Sequence, residues 1–474
     1  MKNLKLKYIS TALMILVFVG ACTDNFEEIN TNPNGPVTVP ATLLISSIAE
    51  VTQDRMNSVF VGGDMGACWA QLWGKVQYND EERYNPRGSV IDAIWQDFYA
   101  RALKDAEAMY TTALAEENAN LQGVALVFSA YIYHVLTDMF GDVPMKEALQ
   151  AEANINNPAY TSQSEVYDSL FTMLDRANSL LSATGGTISS ESDIVYQGDW
   201  SKWKKFANSL KFRCLMRISE RSDFSRQSEL QEIVNSRSIF TSNDDEAKLV
   251  YLSASPNQNP VHGSVIAGNR GEYKVGEKSI EFFQADPRLS VIAQLNADGI
   301  YRGKPAGYLD LPSTDYNYDN VSPLGELYLA PEYPGYFVSY AELEFLIAEA
   351  IVRGLISGDA QAHFVAGITA SMESNGLTPA QYLGYITERG GNVTRQTIAL
   401  EKWKSLFGQG VEAWIEWKRF NYPDLEPAVA GAYDEIPSRY TYPSSEQSLN
   451  NDNYSAAVSS QGVDLLTTKI WWNK

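Results

Sequence analysis

Reactive and metal-ligating side chains are scarce in this 474-residue chain, which has three cysteines and three histidines. Cys22, Cys68 and Cys214 form no CxxC, and His134, His262 and His363 stand singly, without HExxH or paired His/Cys spacing. Neither set points to redox chemistry or a zinc centre. For Cys68 and Cys214, a disulfide and two buried thiols are both open. His134, on the apolar face YIYHVL, reads as a hydrogen-bonded core residue. Positive charge is also short, with 37 Lys and Arg against 58 Asp and Glu and a net charge of -21. DNA, RNA and bare anionic bilayers are therefore excluded as expected partners, because their binding rests on neutralising phosphate. No polar tract or linker interrupts the chain, and its hydrophobic content of 45% suffices for a large core. A chain of this length ordinarily divides into two or three domains. Without a linker to divide it, one domain is expected.

What is present begins with Lys2, Lys5 and Lys7, followed by an apolar run from Ile9 to Gly20. This is the charged region and short apolar core of an export signal, below the about 20 residues that span a bilayer. The run closes on VGAC and then turns acidic at Asp24, Glu27 and Glu28. Small residues before a cysteine resemble the lipobox of bacterial lipoproteins. That resemblance implies cleavage before Cys22 and a diacylglycerol on its sulfur, and the acidic residues resemble a tag for the outer cell surface. Two or more acyl chains anchor durably where one is marginal. The expected organisation is a signal peptide over 1–21, an extended tether over 22–40 and a single domain over 41–474. Removing the signal moves the charge to about -24. Pro33, Gly35, Pro36 and Pro40 keep the tether out of helix.

Helical periodicity dominates thereafter. Val124, Val127, Phe128, Tyr131 and Val135 form one stripe ending at Gly141. Leu343, Leu346, Ile347, Ala350 and Ile351 form another, broken at Gly354 and followed by a helix to about Gly376. Similar pairs are expected around AIWQDFYARALKDAEAMYTTAL and the helix after it, SEVYDSLFTMLDRANSLL with WSKWKKFANSLKFRCLMRIS, and RQTIALEKWKSLF with GVEAWIEWKRF. The fold class is all-α, built of tetratricopeptide-like pairs without a strict 34-residue period. Residues 251–275, 296–337 and the stretch YDEIPSRYTYPSSEQSLNNDNYSAAV, rich in Gly, Pro, Asn and Tyr, read as irregular. Long loops in a compact chain tend to carry function, so a loop-built face on a helical scaffold is expected.

Nearly the whole chain after Cys22 resembles one family. The resemblance runs through DNFEEINTNPNGP, DMFGDVPMKEAL, GDWSKWKKFANSLKFRCLMRIS, SPNQNPVH, ADPRLSVIA and YRGKPAGY, and continues through SYAELEFLIAEAIVRG, ITASME, EKWKSLFGQGVEAWIEWKRFNYP, IPSRYTYPSSEQSLN and TTKIWW. On these stretches the chain is similar to the SusD/RagB outer-membrane lipoproteins, in the second SusD-like subgroup. The resemblance implies a surface lipoprotein of a Gram-negative bacterium that captures nutrients, usually oligosaccharides, without catalysis. It implies a lid on a SusC-type TonB-dependent barrel transporter, with the helix pairs toward the transporter and the loops holding ligand. Ligand loops vary among such proteins, so the resemblance does not carry over which sugar is bound.

A glycan site needs flat aromatic surfaces beside polar side chains that reach ring hydroxyls. In GDMGACWAQLWGKVQYNDEERYN, Trp69, Trp73, Tyr78 and Tyr84 alternate with Gln71 and other polar residues. Trp69 and Trp73 are four apart and would share a helix face, which is core or platform. Tyr78 and Tyr84 lie in the polar stretch and read as the better exposed candidates. Asn259 and Arg270, in the Asn-rich segments, are ligand contacts or turn formers. Arg302, beside Tyr301, reaches ligand hydroxyls or pairs with an acid. In DYNYDNVSPLGE, Asp315, Asn317, Asp319 and Glu326 occupy positions one, three, five and twelve of a calcium-loop pattern, with Asn320 where glycine is usual. Structural calcium and plain turn formation are both open there, and Tyr316 and Tyr318 in the same loop are candidates to face ligand. No other cofactor is indicated. The basic residues of SKWKKFANSLKFRCLMR, from Lys202 to Arg217, are expected to neutralise neighbouring carboxylates. Oligosaccharide capture is the leading reading. Peptide capture and, behind it, a surface glycosidase with paired carboxylates are the rivals.

Overall fold

The computed structural model describes residues 39–309 and 315–474. The expected signal peptide, Cys22 and nearly all of the expected tether lie outside the described residues. Ala41–Lys474 forms one compact unit.

Helix α1 (Leu44–Asn57) leads into a π-helical segment, Val59–Ala67, and then strand β1 (Trp73–Lys75). α2 (Gly88–Gln96) runs through a second π-helical segment, Asp97–Leu103, into α3 (Lys104–Ala115) and, after a short turn, α4 (Ala119–Phe140). Strands β2 (Val143–Pro144) and β3 (Tyr160–Thr161) precede α5 (Gln163–Leu180), α6 (Trp200–Ile218) and α7 (Gln227–Ser236). The middle of the chain holds β4 (Ala247–Leu249), β5 (Tyr273–Val275), α8 (Glu277–Phe283) and β6 (Gly335–Val338) among loops. It ends in α9 (Tyr340–Val352), α10 (Ala360–Ser374), α11 (Pro379–Arg389), α12 (Arg395–Ser405), α13 (Gly410–Phe420), α14 (Ser444–Leu449) and α15 (Asn451–Gln461). Three two-stranded antiparallel sheets, β1–β5, β2–β3 and β4–β6, are minor.

The expected pairs α3–α4, α5–α6, α9–α10 and α12–α13 all form, each packing one helix against the next. Local signals set their ends. Asn118 Oδ1 accepts from Leu121 N at 3.0 Å to start α4, and Gly141 at φ +87° ends it. Asp199, Ser339 and Asp359 cap α6, α9 and α10 in the same way. α4 is long and apolar enough to cross a membrane, yet it is almost wholly buried as the core helix the neighbouring pairs wrap.

Of the basic residues of α6, Lys205, Lys211, Arg213 and Arg217 pair with carboxylates as expected, the two arginines far from the surface. Lys202 and Lys204 instead donate to the backbone carbonyls of Asp244 and Leu181. Arg217 meets Asp138 of α4 at 3.0 Å and Glu412 of α13 at 2.5 Å, and also contacts Glu416. Arg213 reaches Glu342 of α9 at 3.3 Å, and Lys402 bridges to Glu416 at 2.7 Å. These ion pairs tie successive helix pairs together through one charged seam. His134 is fully buried beside them, its Nε2 3.6 Å from Asp138 and its Nδ1 3.5 Å from the Tyr167 hydroxyl. Burial, with Arg213 and Arg217 nearby, holds its pKa well below the ordinary range. Cys68 and Cys214 are both buried free thiols, which closes the disulfide alternative.

Three expectations fail. The stretch 251–275 is not irregular throughout, since Pro260–His262 is helical and runs into a π-helical turn, Gly263–Ala267. The C-terminal stretch is not irregular throughout, since α14 and α15 occupy most of it. Tertiary contacts supply what its composition does not: Asn450, between the two helices, donates to Pro158 O and Glu446 Oε2, each at 3.0 Å. Trp69 and Trp73 do not share a helix face either. The helical run ends at Ala67, and Gln71, at φ +56°, turns the chain so that Trp73 enters β1.

Candidate functional site

The loop segments converge around β1 and β5. Trp73 pairs with Val275 and Lys75 with Tyr273, while Lys274 bridges to Pro323 and Gly276 to Lys304. Ser322 N donates to Arg302 O at 2.8 Å, and Arg302 N donates to Ser322 Oγ at 3.0 Å. Four segments from distant parts of the chain are thus knitted into a small hydrogen-bonded mat. Close approach requires glycine at two points. A Cβ on Gly303 would sit 2.3 Å from Glu277 Cα, and one on Gly74 would sit 2.8 Å from both Lys304 Cβ and Cγ.

The mat's edge carries a cluster of tyrosines. Arg302 stacks 4.6 Å from the Tyr316 ring centre, and Tyr316 meets Tyr308 edge-on at 4.9 Å. Tyr308 in turn donates to Asp315 at 3.3 Å, and its carbonyl accepts from Asn79 Nδ2 at 2.6 Å. The Tyr318 hydroxyl donates to Gln77 Oε1 at 2.7 Å, and Lys274 Nζ donates to the Tyr318 carbonyl at 2.8 Å. Burial lowers the Lys274 pKa, with Asp319 partly offsetting it. Tyr78, next to Gln77, is 61% exposed, and Tyr318 is 45% exposed. Tyr78 holds φ +56°, a conformation that costs a bulky residue about 1–3 kcal/mol and persists only where its surroundings impose it. The face therefore offers partly exposed rings, a guanidinium and amide groups on a rigid base, an arrangement able to stack on and hydrogen-bond a neutral polar ligand.

Of the ten candidate ligand residues, this face gathers Arg302, Tyr316 and Tyr318, and Tyr78 follows Gln77 directly in the chain. Trp69 instead lies in the core, 1% exposed, edge-on to Tyr84, Trp414 and Tyr440, with its Nε1 donating to Glu81 O at 2.8 Å. Trp73, 4% exposed, packs on Tyr273 and Phe407. Tyr84 is buried, its hydroxyl accepting from Ala428 N at 2.7 Å, and Gln71 is buried with its amide on Glu426 O. Asn259 is fully buried and is a turn former: its Oδ1 accepts from Val261 N and its Nδ2 donates to Tyr333 O, each at 2.8 Å. Arg270 pairs with Glu272 at 2.9 Å and stacks 4.9 Å from Phe60. These six side chains shape or support the scaffold. Tyr308, Gln77 and Lys274 were missed, although YRGKPAGY and KVQY hold two of them in view.

The calcium reading fares worse. Asn317 Oδ1 accepts the backbone N–H groups of Asp319 and Asn320 at 2.9 and 3.1 Å, and Asn320 Oδ1 accepts that of Asn317 at 2.8 Å. The asparagines close a turn on themselves, as turn-forming asparagines do. Asp315 is engaged with Tyr308, and Glu326 opens a separate short helical turn. Among the described residues no group of three or more His, Cys, Asp or Glu gathers as metal ligands.

Beneath the mat lies a buried charged cluster. Lys75 Nζ is 3.0 Å from Asp64 and 3.5 Å from Glu81, and Lys304 Nζ is 3.9 Å from Glu82. Burial pushes the Asp64 carboxyl up to about 6 despite Lys75.

Stacked helix pairs carrying a tyrosine-rich loop face define a helical-repeat scaffold. Residues 33–443 match the second SusD-like family, described as starch-binding and associating with the outer membrane, and the chain belongs to that family. Among solved structures, a chitin-binding protein superposes with a TM-score of 0.80 at 25% identity, covering 91% of this chain and 99% of its own. A SusD homolog from Bacteroides ovatus superposes at 0.79 with 23% identity, covering 91% and 99%. A chitin-binding SusD homolog from Flavobacterium johnsoniae superposes at 0.77 with 23% identity, covering 92% and 98%. These last two likenesses concern the fold. No curated protein matches the sequence significantly.

Proposed function

We propose that this chain captures oligosaccharides at the loop face formed by Tyr78, Tyr308, Tyr316, Tyr318, Arg302 and Gln77, and does no bond-breaking chemistry. The observation that carries the reading is the meeting of Tyr308, Tyr316, Tyr318, Arg302 and Gln77 at the edge of one hydrogen-bonded mat on a SusD-like scaffold. Sugar rings present weakly apolar C–H faces to aromatic rings and hydroxyls to amide and guanidinium groups, and this face offers both. The chitin-binding protein of 25% identity supports a glycan as the ligand class.

In the same reading the mature chain starts at Cys22, is held by acyl chains at the cell surface and passes its ligand, as a lid, to a SusC-type TonB-dependent transporter. Residues 22–40 serve as tether and 41–474 as the capturing domain. Calorimetry against chitin-, starch- and other neutral oligosaccharides, with a peptide set alongside, tests the ligand class. Saturable heat with at least one oligosaccharide is expected. Heat with peptides alone would replace this reading by peptide capture, and time-dependent release of reducing ends would make the protein a glycosidase. Recovery of a barrel transporter with the chain from solubilised outer membranes tests the partner.

A further inference from the structure

Two clefts, of about 410 and 310 Å³, open side by side where the C-terminal ends of α6 and α13 meet the last residues of the chain. Neither includes a residue of the loop face, and Arg221 lines both. Lys418, Trp472 and Lys474 wall the larger, and Phe224, Arg226 and Trp471 wall the smaller. Acids stand among these residues, Glu220 in the larger cleft and Asp168 and Asp223 in the smaller, so the clefts join guanidinium and ammonium groups, carboxylates and aromatic rings.

The two arginines are held ready by their surroundings. The Arg221 guanidinium lies 4.2 Å from the Trp471 ring centre, and its Nη1 donates to Trp471 O at 2.7 Å. Arg226 stacks 4.5 Å from the Phe171 ring centre and pairs with Glu229 at 2.9 Å. Their other partners sit on the rim. Asp223, 2.8 Å from Arg221, has a side chain 64% exposed, and Asp168, 2.9 Å from Arg226, has one 69% exposed. Ion pairs that open to water contribute little, so an incoming anion can displace these carboxylates from a planar donor fork already oriented by stacking. Asn473 lines the larger cleft, and its Oδ1 is buried without a hydrogen-bond partner. The volumes fall at the small end of small-molecule sites.

We propose that this double cleft is a second ligand site, for an acidic saccharide whose uronate carboxylate or sulfate ester is gripped by Arg221 and Arg226 while its ring rests against Trp471 and Phe224. Both anion types are planar or tripodal oxygen acceptors that match a guanidinium fork. The partly exposed aromatic walls favour a sugar ring over an acidic peptide. The site goes beyond loop-face capture and does not depend on it.

The test is calorimetry on the full-length chain in detergent with four probes: trigalacturonate, a sulfated chondroitin disaccharide, neutral chitotriose and a hexaglutamate peptide. At least one of the two acidic saccharides is expected to bind, the arm that responds telling carboxylate from sulfate. R226Q, which removes the guanidinium but keeps a polar side chain, and R221K, which keeps the charge but loses the fork, are each expected to weaken that binding about tenfold or more, with the melting temperature of each variant read alongside. Y318A is expected to leave it in place while weakening any neutral-sugar binding. Failure of both acidic saccharides to bind, binding unchanged in both arginine variants, binding of hexaglutamate alone, or loss of acidic-saccharide binding in Y318A would each overturn the proposal.

Discussion

Tyr318 donates its hydroxyl to Gln77 Oε1 at 2.7 Å across 241 residues of sequence, joining the loop after β1 to the loop before Val321. The bond sets the angle of a half-exposed ring. Y318A is therefore expected to weaken oligosaccharide binding by about tenfold, and Y318F, which keeps the ring, by less, with thermal stability changed little in either. Titration calorimetry beside a melting curve checks this.

Trp69 and Trp73 act through packing. W69A removes a ring that touches three other aromatics and leaves Glu81 O without its donor, so a loss of about 3–5 kcal/mol in unfolding free energy is expected. Denaturant titration measures it. W73A is expected to destabilise as well, and any loss of binding should track the unfolded fraction.

Arg217 is the keystone of the charged seam. R217M would leave Asp138, Glu412 and Glu416 buried beside one another without their shared cation, costing about 3–5 kcal/mol. The same loss in R217M combined with E412Q should be smaller, because one uncompensated carboxylate fewer remains while Arg213 keeps Glu342 and Glu416 keeps Lys402. Chemical denaturation of the two variants at neutral pH makes the comparison.

Asp64 gives a pH signature. Its folded pKa of about 6 lies above the unfolded value of 3.8, so its contribution to stability is greatest below that value and falls as pH rises to about 6, then levels. D64N lacks this loss. Its stability relative to the parent chain is expected to improve by about 2–3 kcal/mol between pH 4 and pH 7.5. A constant difference across that range would contradict the assignment.

The thiols of Cys68 and Cys214 should be inert to alkylating reagent in the folded protein and should react fully in denaturant without prior reduction. Burial raises the pKa of both, removing the thiolate that reacts. Mass spectrometry of the two peptides reads this.

Much of the scaffold could be read from the chain because helix pairs are written locally. The stripe from Val124 to Val135 and the caps at Asn118, Asp199 and Ser339 lie within a few residues of the structure they produce. The site was only half legible for the opposite reason. Whether an aromatic is platform or core depends on partners far along the chain: Trp69 is claimed by Trp414 and Tyr440, and Tyr84 by Ala428. Tyr308 joined the site through Tyr316 and Asn79, a meeting that no local pattern announces. Spacing misled in the loop from Asp315 to Glu326, where a ligand-like alternation of oxygens belongs to asparagine turns. It misled again in the last helices, where Asn450 and its contacts impose order on a turn-rich composition.

Oligosaccharide capture at the tyrosine face is tested most directly by a crystal structure with the tightest-binding neutral oligosaccharide. The account predicts a sugar ring within about 4 Å of the Tyr316 or Tyr318 ring, with a hydroxyl hydrogen-bonded to Arg302 or Gln77. Ligand density that avoids all four side chains in a saturated crystal would contradict it.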